Sequence, residues 1–214
     1  MIQKLTNTLY IEVKDEKEEF GVITIWEDLI FPISFRSGAL YIENKQVKER
    51  RKMKTEFIHY GHIIDLKKFE EITDHPELWY LNKPKGGLWC SPVDSNWGWK
   101  DWCKAEDFCT GKLKTWTKFK LKPGTKILII DSIDDLVEVV EKYNKTVPTL
   151  SGIEKVLCFK KIKEDGYRGI YLTEKGNDEC HLPWNPYVPN LNTWDCECMI
   201  LFDLNCIEIY ESSN

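Results

Sequence analysis

Residues 83–108 read KPKGGLWCSPVDSNWGWKDWCKAEDF. Four of the nine tryptophans, Trp89, Trp97, Trp99 and Trp102, fall in this one stretch beside a glycine pair, a proline and a run of small polar residues. Residues 88–91 predict a short strand stopped by Pro92, and Asp94 and Ser95 stand where they would cap a helix carrying Trp99, Trp102 and Cys103 on one face. The expected order is strand, turn, helix, with aromatics at the junction. Indole rings offer a flat face and one N–H donor, which suits the wall of a pocket for a planar ligand. Apolar side chains at helical spacing are equally the mark of an ordinary core, so both readings stand at this point. The Gly86-Gly87 pair allows close approach of the backbone to another group, either a packed chain or a ligand.

The chain has 214 residues, 42% of them hydrophobic and 30% charged, the composition of an ordinary globular protein with one sizeable domain or a domain with an appendage. No apolar run approaches the roughly 20 residues of a membrane span, and the N-terminal residues lack the basic-then-apolar form of a signal peptide. A cytoplasmic location without a membrane partner is the expectation. Eight cysteines are even in number, but a chain of this length needs no disulfide framework, and reduced thiols are the default. Cys103, Cys109, Cys180, His181, Cys196 and Cys198 could in principle supply zinc ligands; without a CxxC pair, no metal is expected. The net charge of −5 disfavours a general nucleic-acid coat protein. Two lysine-rich stretches, residues 45–54 and 112–126, are either phosphate-facing or solvated.

Working outward, residues 8–14 and 20–26 alternate apolar and polar positions and predict an antiparallel hairpin across the charged turn DEKEE. A further strand is expected over 39–43, followed by a basic linker, and residues 1–50 are read as an N-terminal β extension or subdomain. Residues 51–214 form the main domain. In it, strands are predicted over 56–61, 115–121, 126–131 and 167–173. Asp65 is a candidate cap for a short helix through Phe69 and Ile72. Ser132 with Asp135 three residues on resembles a capping box for a helix through Tyr143. A second helix is expected over 153–163, and a loop with three prolines before a final alternating segment over 194–210. Strands with interspersed helices, lacking regular βαβ alternation, predict an α+β fold.

The segment 194–202, WDCECMILF, holds the other informative pattern. As a strand its period of two would send Trp194, Cys196, Cys198, Ile200 and Phe202 to one face and Asp195, Glu197, Met199 and Leu201 to the other. Two carboxylates followed by apolar residues describe a strand with one end lining a cleft, or a strand end projecting acids into water.

Taken in order, these segments resemble the ADP-ribosyltransferase superfamily over roughly residues 55–210. The carrying motifs are a strand ending in His59-Tyr60-Gly61, the strand LWCSP, the strand Gly166-Tyr167-Arg168-Gly169-Ile170-Tyr171, and a late strand with Asp195-x-Glu197. The resemblance implies two β-sheets split around a cleft that binds NAD as substrate, with no metal. His59 matches the residue that holds the adenosine ribose, and His62 is an alternative. Trp89 and Ser91 match positions near the nicotinamide ribose, and Tyr60, Trp99 and Trp102 are candidates for stacking. Glu197 matches the catalytic glutamate. Asp195 stands where arginine-modifying members carry Glu or Gln, which departs from that subclass.

The chemistry asks for such residues in its own right. Breaking the nicotinamide–ribose bond builds positive charge on the sugar, as in glycoside hydrolysis, and a nearby carboxylate stabilises it. An aromatic cleft holds the ring and keeps out water. The expected function is therefore a glycosyltransferase that cleaves NAD and passes ADP-ribose to a macromolecular acceptor, protein or nucleic acid. The alternative is a non-catalytic nucleotide-binding or nucleic-acid-binding module using the tryptophan cleft. A cysteine nucleophile, Cys90 or Cys103 paired with His59, is a further and separate idea.

Overall fold

The computed structural model describes residues 2–5, 9–12, 20–25, 29–36, 39–42, 53–74, 82–149, 152–181 and 189–213. The chain divides into two compact units, Met1–Met53 and Lys54–Asn214. Five strands belong to the first: β1 (Ile2–Leu5), β2 (Leu9–Glu12), β3 (Phe20–Ile25), β4 (Leu29–Arg36) and β5 (Ala39–Ile42). β1 pairs with β2, and β3, β4 and β5 form a three-stranded antiparallel sheet in that order. The expected hairpin between 8–14 and 20–26 is thus replaced by two other pairings. Residues 9–12 pair with β1 and residues 20–25 with β4, two strands the periodicity did not isolate; in β4, Pro32 interrupts the apolar run, and a strand proline lacks the ladder donor. The DEKEE turn and most of the basic linker lie outside the described residues.

The second unit is α+β. Its strands are β6 (Glu56–Tyr60), β7 (Thr73–Asp74), β8 (Pro84–Lys85), β9 (Leu88–Pro92), β10 (Trp116–Leu121), β11 (Ile127–Ile130), β12 (Asn144–Thr149), β13 (Gly152–Leu157), β14 (Gly169–Leu172), β15 (Cys198–Leu201) and β16 (Ile207–Ser212). Its helices are α1 (Trp99–Ala105), α2 (Ile133–Lys142), α3 (Phe159–Glu164) and α4 (Glu174–Cys180). Seven strands form one mixed sheet in the order β11-β14-β15-β9-β6-β10-β16, parallel only between β11 and β14. All four residues of β14 and all four of β15 are buried, as expected of strands covered on both faces. α2 covers this end of the sheet. Ser132 accepts from the Asp135 amide at its N-terminus, and Leu136 and Val140 enter the core that also holds Ile170, Leu172, Trp194 and Phe202.

Three local expectations change. Only the second half of the predicted 153–163 helix is helical, as α3; Ile153 to Leu157 pairs with β12 instead. Ile153, Val156 and Leu157 stand at i, i+3 and i+4, which suits a helix; the antiparallel partner β12, which the 3.6-residue reading missed, makes them a strand. Thr173 caps α4, a helix placed where an irregular loop was expected; residues 182–188 of that loop lie outside the described residues. Finally, α1 starts after Gly98, not at Asp94 or Ser95. Asp94 pairs with Lys54 at 2.8 Å, and Ser95 is engaged elsewhere.

The glycine pair resolves in favour of chain packing. Gly86 and Gly87 have φ of +76° and +70°, in the left-handed region, and the Gly87 amide donates to the Glu70 carbonyl at 2.9 Å. A Cβ on Gly86 would collide with the Glu71 carbonyl oxygen. Strain of this kind costs roughly 1–3 kcal/mol, so Gly86→Ala is expected to lower the thermal midpoint by several degrees. Gly111→Ala, where a Cβ meets nothing within 4 Å, is the control with little expected change. Equal midpoints for the two variants would contradict this packing.

Candidate functional site

β9 changes partners along its length. Leu88, Trp89 and Cys90 pair with Leu201, Ile200 and Met199 of β15, whereas Ser91 and Pro92 pair with Ile58 and Phe57 of β6. Beyond those pairs the neighbouring strands diverge, and side chains take over the free backbone groups. His59 Nδ1 donates to the Trp89 carbonyl at 2.7 Å on the β6 side. Ser91 Oγ donates to the Glu197 carbonyl at 2.9 Å on the β15 side and accepts from the Trp99 amide at 2.9 Å.

A cavity of about 230 Å³ opens at this divergence, with walls that include His59, Trp89, Ser91, Trp99, Trp194 and Asp195. Pockets enclosing a drug-sized molecule are about 300–1,000 Å³, so this one fits a planar ring with part of its sugar rather than a whole dinucleotide. Trp89 meets Trp194 edge-on at 4.8 Å between centroids, and the Trp194 Nε1–H donates to the Asn82 carbonyl at 2.8 Å. Trp99 stacks on Trp102 at 5.0 Å and 19°. Trp102 therefore backs the wall without lining the cavity. Tyr60 also lines it, with its phenol pushed up by burial and by Asp101. Tryptophan stretch and core prove to be one object, since Trp89, Trp99 and Trp102 pack on the main core cluster while two of them face the cavity.

Charge enters the cavity through Lys83 and Asp195, 3.7 Å apart. Lys83 Nζ donates to the Thr193 carbonyl at 2.6 Å and lies 5.5 Å from the Trp89 ring centroid. Neither Lys83 nor Trp194 was singled out as a site residue from the sequence. A lysine ahead of a strand has no local signature of its own, and Trp194 was assigned to the apolar face that it does occupy.

Glu197 lies elsewhere. Asp195, Cys196 and Cys198 line the cavity; Glu197 does not, and it is only 4% exposed. Its carboxylate accepts from Ser95 Oγ at 2.6 Å and from the Tyr171 hydroxyl, and its amide donates to the Trp97 carbonyl at 3.0 Å. The expectation of Glu197 facing the cleft is therefore not met. The strand begins at Cys198, and residues 195–197 are irregular, so the period of two that paired Asp195 with Glu197 does not extend to them.

His59 is a wall residue rather than a free ligand group. Its Nδ1–H is held by the Trp89 carbonyl, which leaves Nε2 as an acceptor, 3.2 Å from His62 Nδ1. Burial, with a smaller contribution from His62, pulls its pKa down to about 4. Cysteine chemistry finds no support: burial pushes Cys103 up to about 11 and holds Cys90 well above its ordinary value, so both remain thiols near neutral pH. No group of three or more His, Cys, Asp and Glu side chains suited to a metal occurs among the described residues. The lysines of β10 are matched by acids: Lys118 with Glu211 at 2.7 Å, Lys120 with Glu56 at 3.0 Å. No helix among the described residues is long and apolar enough to cross a membrane.

Compared with models of known protein families, with curated proteins and with solved structures, the chain gives no significant match.

Neutral His59 predicts a pH dependence. An unfolded histidine titrates near 6.5 and the folded one near 4, so between these values the unfolded chain binds a proton that the folded chain does not. Stability from this group is complete above about pH 6.5 and is lost as pH falls toward 4, by on the order of 3 kcal/mol. Denaturant unfolding at a series of pH values should show this slope in the native chain and a shallower one in His59→Gln. Identical slopes would contradict the neutral, carbonyl-bound histidine.

Proposed function

We propose that the protein is an ADP-ribosyltransferase that takes NAD as substrate, with the nicotinamide and its ribose in the tryptophan cavity and Asp195 as the carboxylate beside the sugar. The observation that carries this reading is the coincidence of a ring-sized aromatic cavity with a carboxylate in its wall, at the point where β9 passes from one set of strands to another. That change of partner also supports the finer fold reading, two half-sheets parting around a cleft. Trp89 and Trp99 supply flat faces for the ring. Lys83 supplies a cation suited to a nearby phosphate.

The step is a displacement at the ribose anomeric carbon. The carbon–nitrogen bond to nicotinamide breaks, its electron pair leaves with neutral nicotinamide, and an oxygen or nitrogen of the acceptor forms the new bond while losing its proton to solvent. Asp195 stabilises the positive charge that builds on the sugar; such preorganised charge contributes roughly 100- to 1,000-fold. Enclosure by indole rings limits competing attack by water.

Nicotinamide release by the purified protein, alone and with cell extract, tests the reading. Release should fall at least about 100-fold in Asp195→Asn, with NAD affinity nearly unchanged. Trp99→Ala should weaken NAD binding about tenfold or more. Label from NAD left on extract protein or RNA would identify the acceptor class. A second reading, a nucleotide-binding module without catalysis, draws on the burial of Glu197 away from the cavity. It predicts NAD binding without release. Neither binding nor release by the native chain would overturn both.

A further inference from the structure

The network around Glu197 has no part in the proposed reaction, yet its carboxylate, amide and carbonyl are all hydrogen-bonded. One carboxylate oxygen takes the Ser95 hydroxyl at 2.6 Å and the other takes the Tyr171 hydroxyl of β14. Tyr171 is held as a donor, its phenol pushed far up by burial and by the Glu197 carboxylate. The Glu197 backbone joins the same segment twice more, through its amide to the Trp97 carbonyl at 3.0 Å and through its carbonyl to Ser91 Oγ at 2.9 Å. Ser91 Oγ in turn receives the Trp99 amide. Residues 91–99 are thus tied at Ser91, Ser95 and Trp97 to one glutamate, and the last residue of the segment is a wall of the cavity.

We infer that Glu197 is a positioning residue: its buried carboxylate pins the 91–99 segment to β14 and so sets Trp99 against the cavity. Beyond the β9 pairs at Ser91 and Pro92, the segment's other ties are the Val93 amide to the Glu56 carbonyl at 3.1 Å and two side-chain contacts at the surface, Lys54 to Asp94 at 2.8 Å and Asn96 to Glu174 at 3.1 Å. Asp94, Asn96 and Trp97 are exposed, and no regular element begins until Trp99. A buried carboxylate stripped of both hydroxyls would be strongly disfavoured, so the anchor and the segment order together. The consequence for ligand binding rests on the proposed reading of the cavity; the consequence for the segment does not.

The role separates from that of a reacting carboxylate through the amide variant. Ser and Tyr hydroxyls donate or accept as needed, so in Glu197→Gln the oxygen accepts from one and the nitrogen donates to the other. Hydrogen exchange of the amides over 93–99 is measured in the ligand-free protein, beside nicotinamide release. Glu197→Ala should speed exchange there about tenfold or more, with Ser95→Ala showing the same change to a smaller degree, while Glu197→Gln stays close to the native chain. Release should follow suit: KM raised in Glu197→Ala and Ser95→Ala with kcat largely kept, and both parameters near native in Glu197→Gln.

Loss of kcat in Glu197→Gln with native exchange over 93–99 would overturn the inference and make this carboxylate the reacting one. Unchanged exchange in both Glu197→Ala and Ser95→Ala would overturn it as well. Ser95→Ala removes one hydroxyl from a half-buried position, which keeps the exchange test available should Glu197→Ala fail to fold. If the native protein neither binds NAD nor releases nicotinamide, the proposed function falls while the exchange result still decides the anchor.

Discussion

Everything near the candidate site follows from β9 serving two neighbours in turn. A strand that pairs along its whole length on both edges leaves no room between strands. Here the ladder to β15 ends at Cys90 and the ladder to β6 begins at Ser91. Backbone groups left by the parting cannot stay unpaired in a buried setting. His59 and Ser91 satisfy them from the two sides, and Trp89, Trp99 and Trp194 line the gap that remains. Polar residues with the look of ligand groups thus act first as hydrogen-bonding replacements for a sheet ladder.

This explains how far the sequence could be read. Strands β6, β9, β10 and β11 and the capped helix α2 were legible because each rests on local signals: alternation, a terminating proline, or Ser132 followed by Asp135. The aromatic cavity was legible too, from the crowding of tryptophans around a strand end. Facing was not. Whether Asp195 or Glu197 enters the cavity depends on where β15 begins, and nothing local in WDCEC marks Cys198 as the first paired residue. The partnership of Ser95 with Glu197 spans a long stretch of chain, so Ser95 read as a helix cap, its commonest local use. Half of the predicted second helix failed for a related reason, since the strand that pairs with residues 153–157 is what makes them a strand.

Two carboxylates separated by one residue come to occupy different surroundings. Asp195 is half-buried in the cavity wall beside Lys83, open to a ligand. Glu197 is enclosed and already accepts two hydroxyl donors. A group that must stabilise charge developing on a bound sugar has to reach it, and a group that must hold a segment in place has to be saturated with bonds. In the proposed reaction the first demand falls to Asp195 and the second to Glu197.

A structure of the protein crystallised with NAD tests the central claim most directly. The account predicts the nicotinamide ring in the cavity against Trp89 or Trp99, with an Asp195 oxygen within hydrogen-bonding distance of the attached ribose and the Glu197 bonds to Ser95 and Tyr171 unchanged. A ring bound away from these tryptophans, or a Glu197 carboxylate swung into the cavity onto the ribose in place of Asp195, would contradict it.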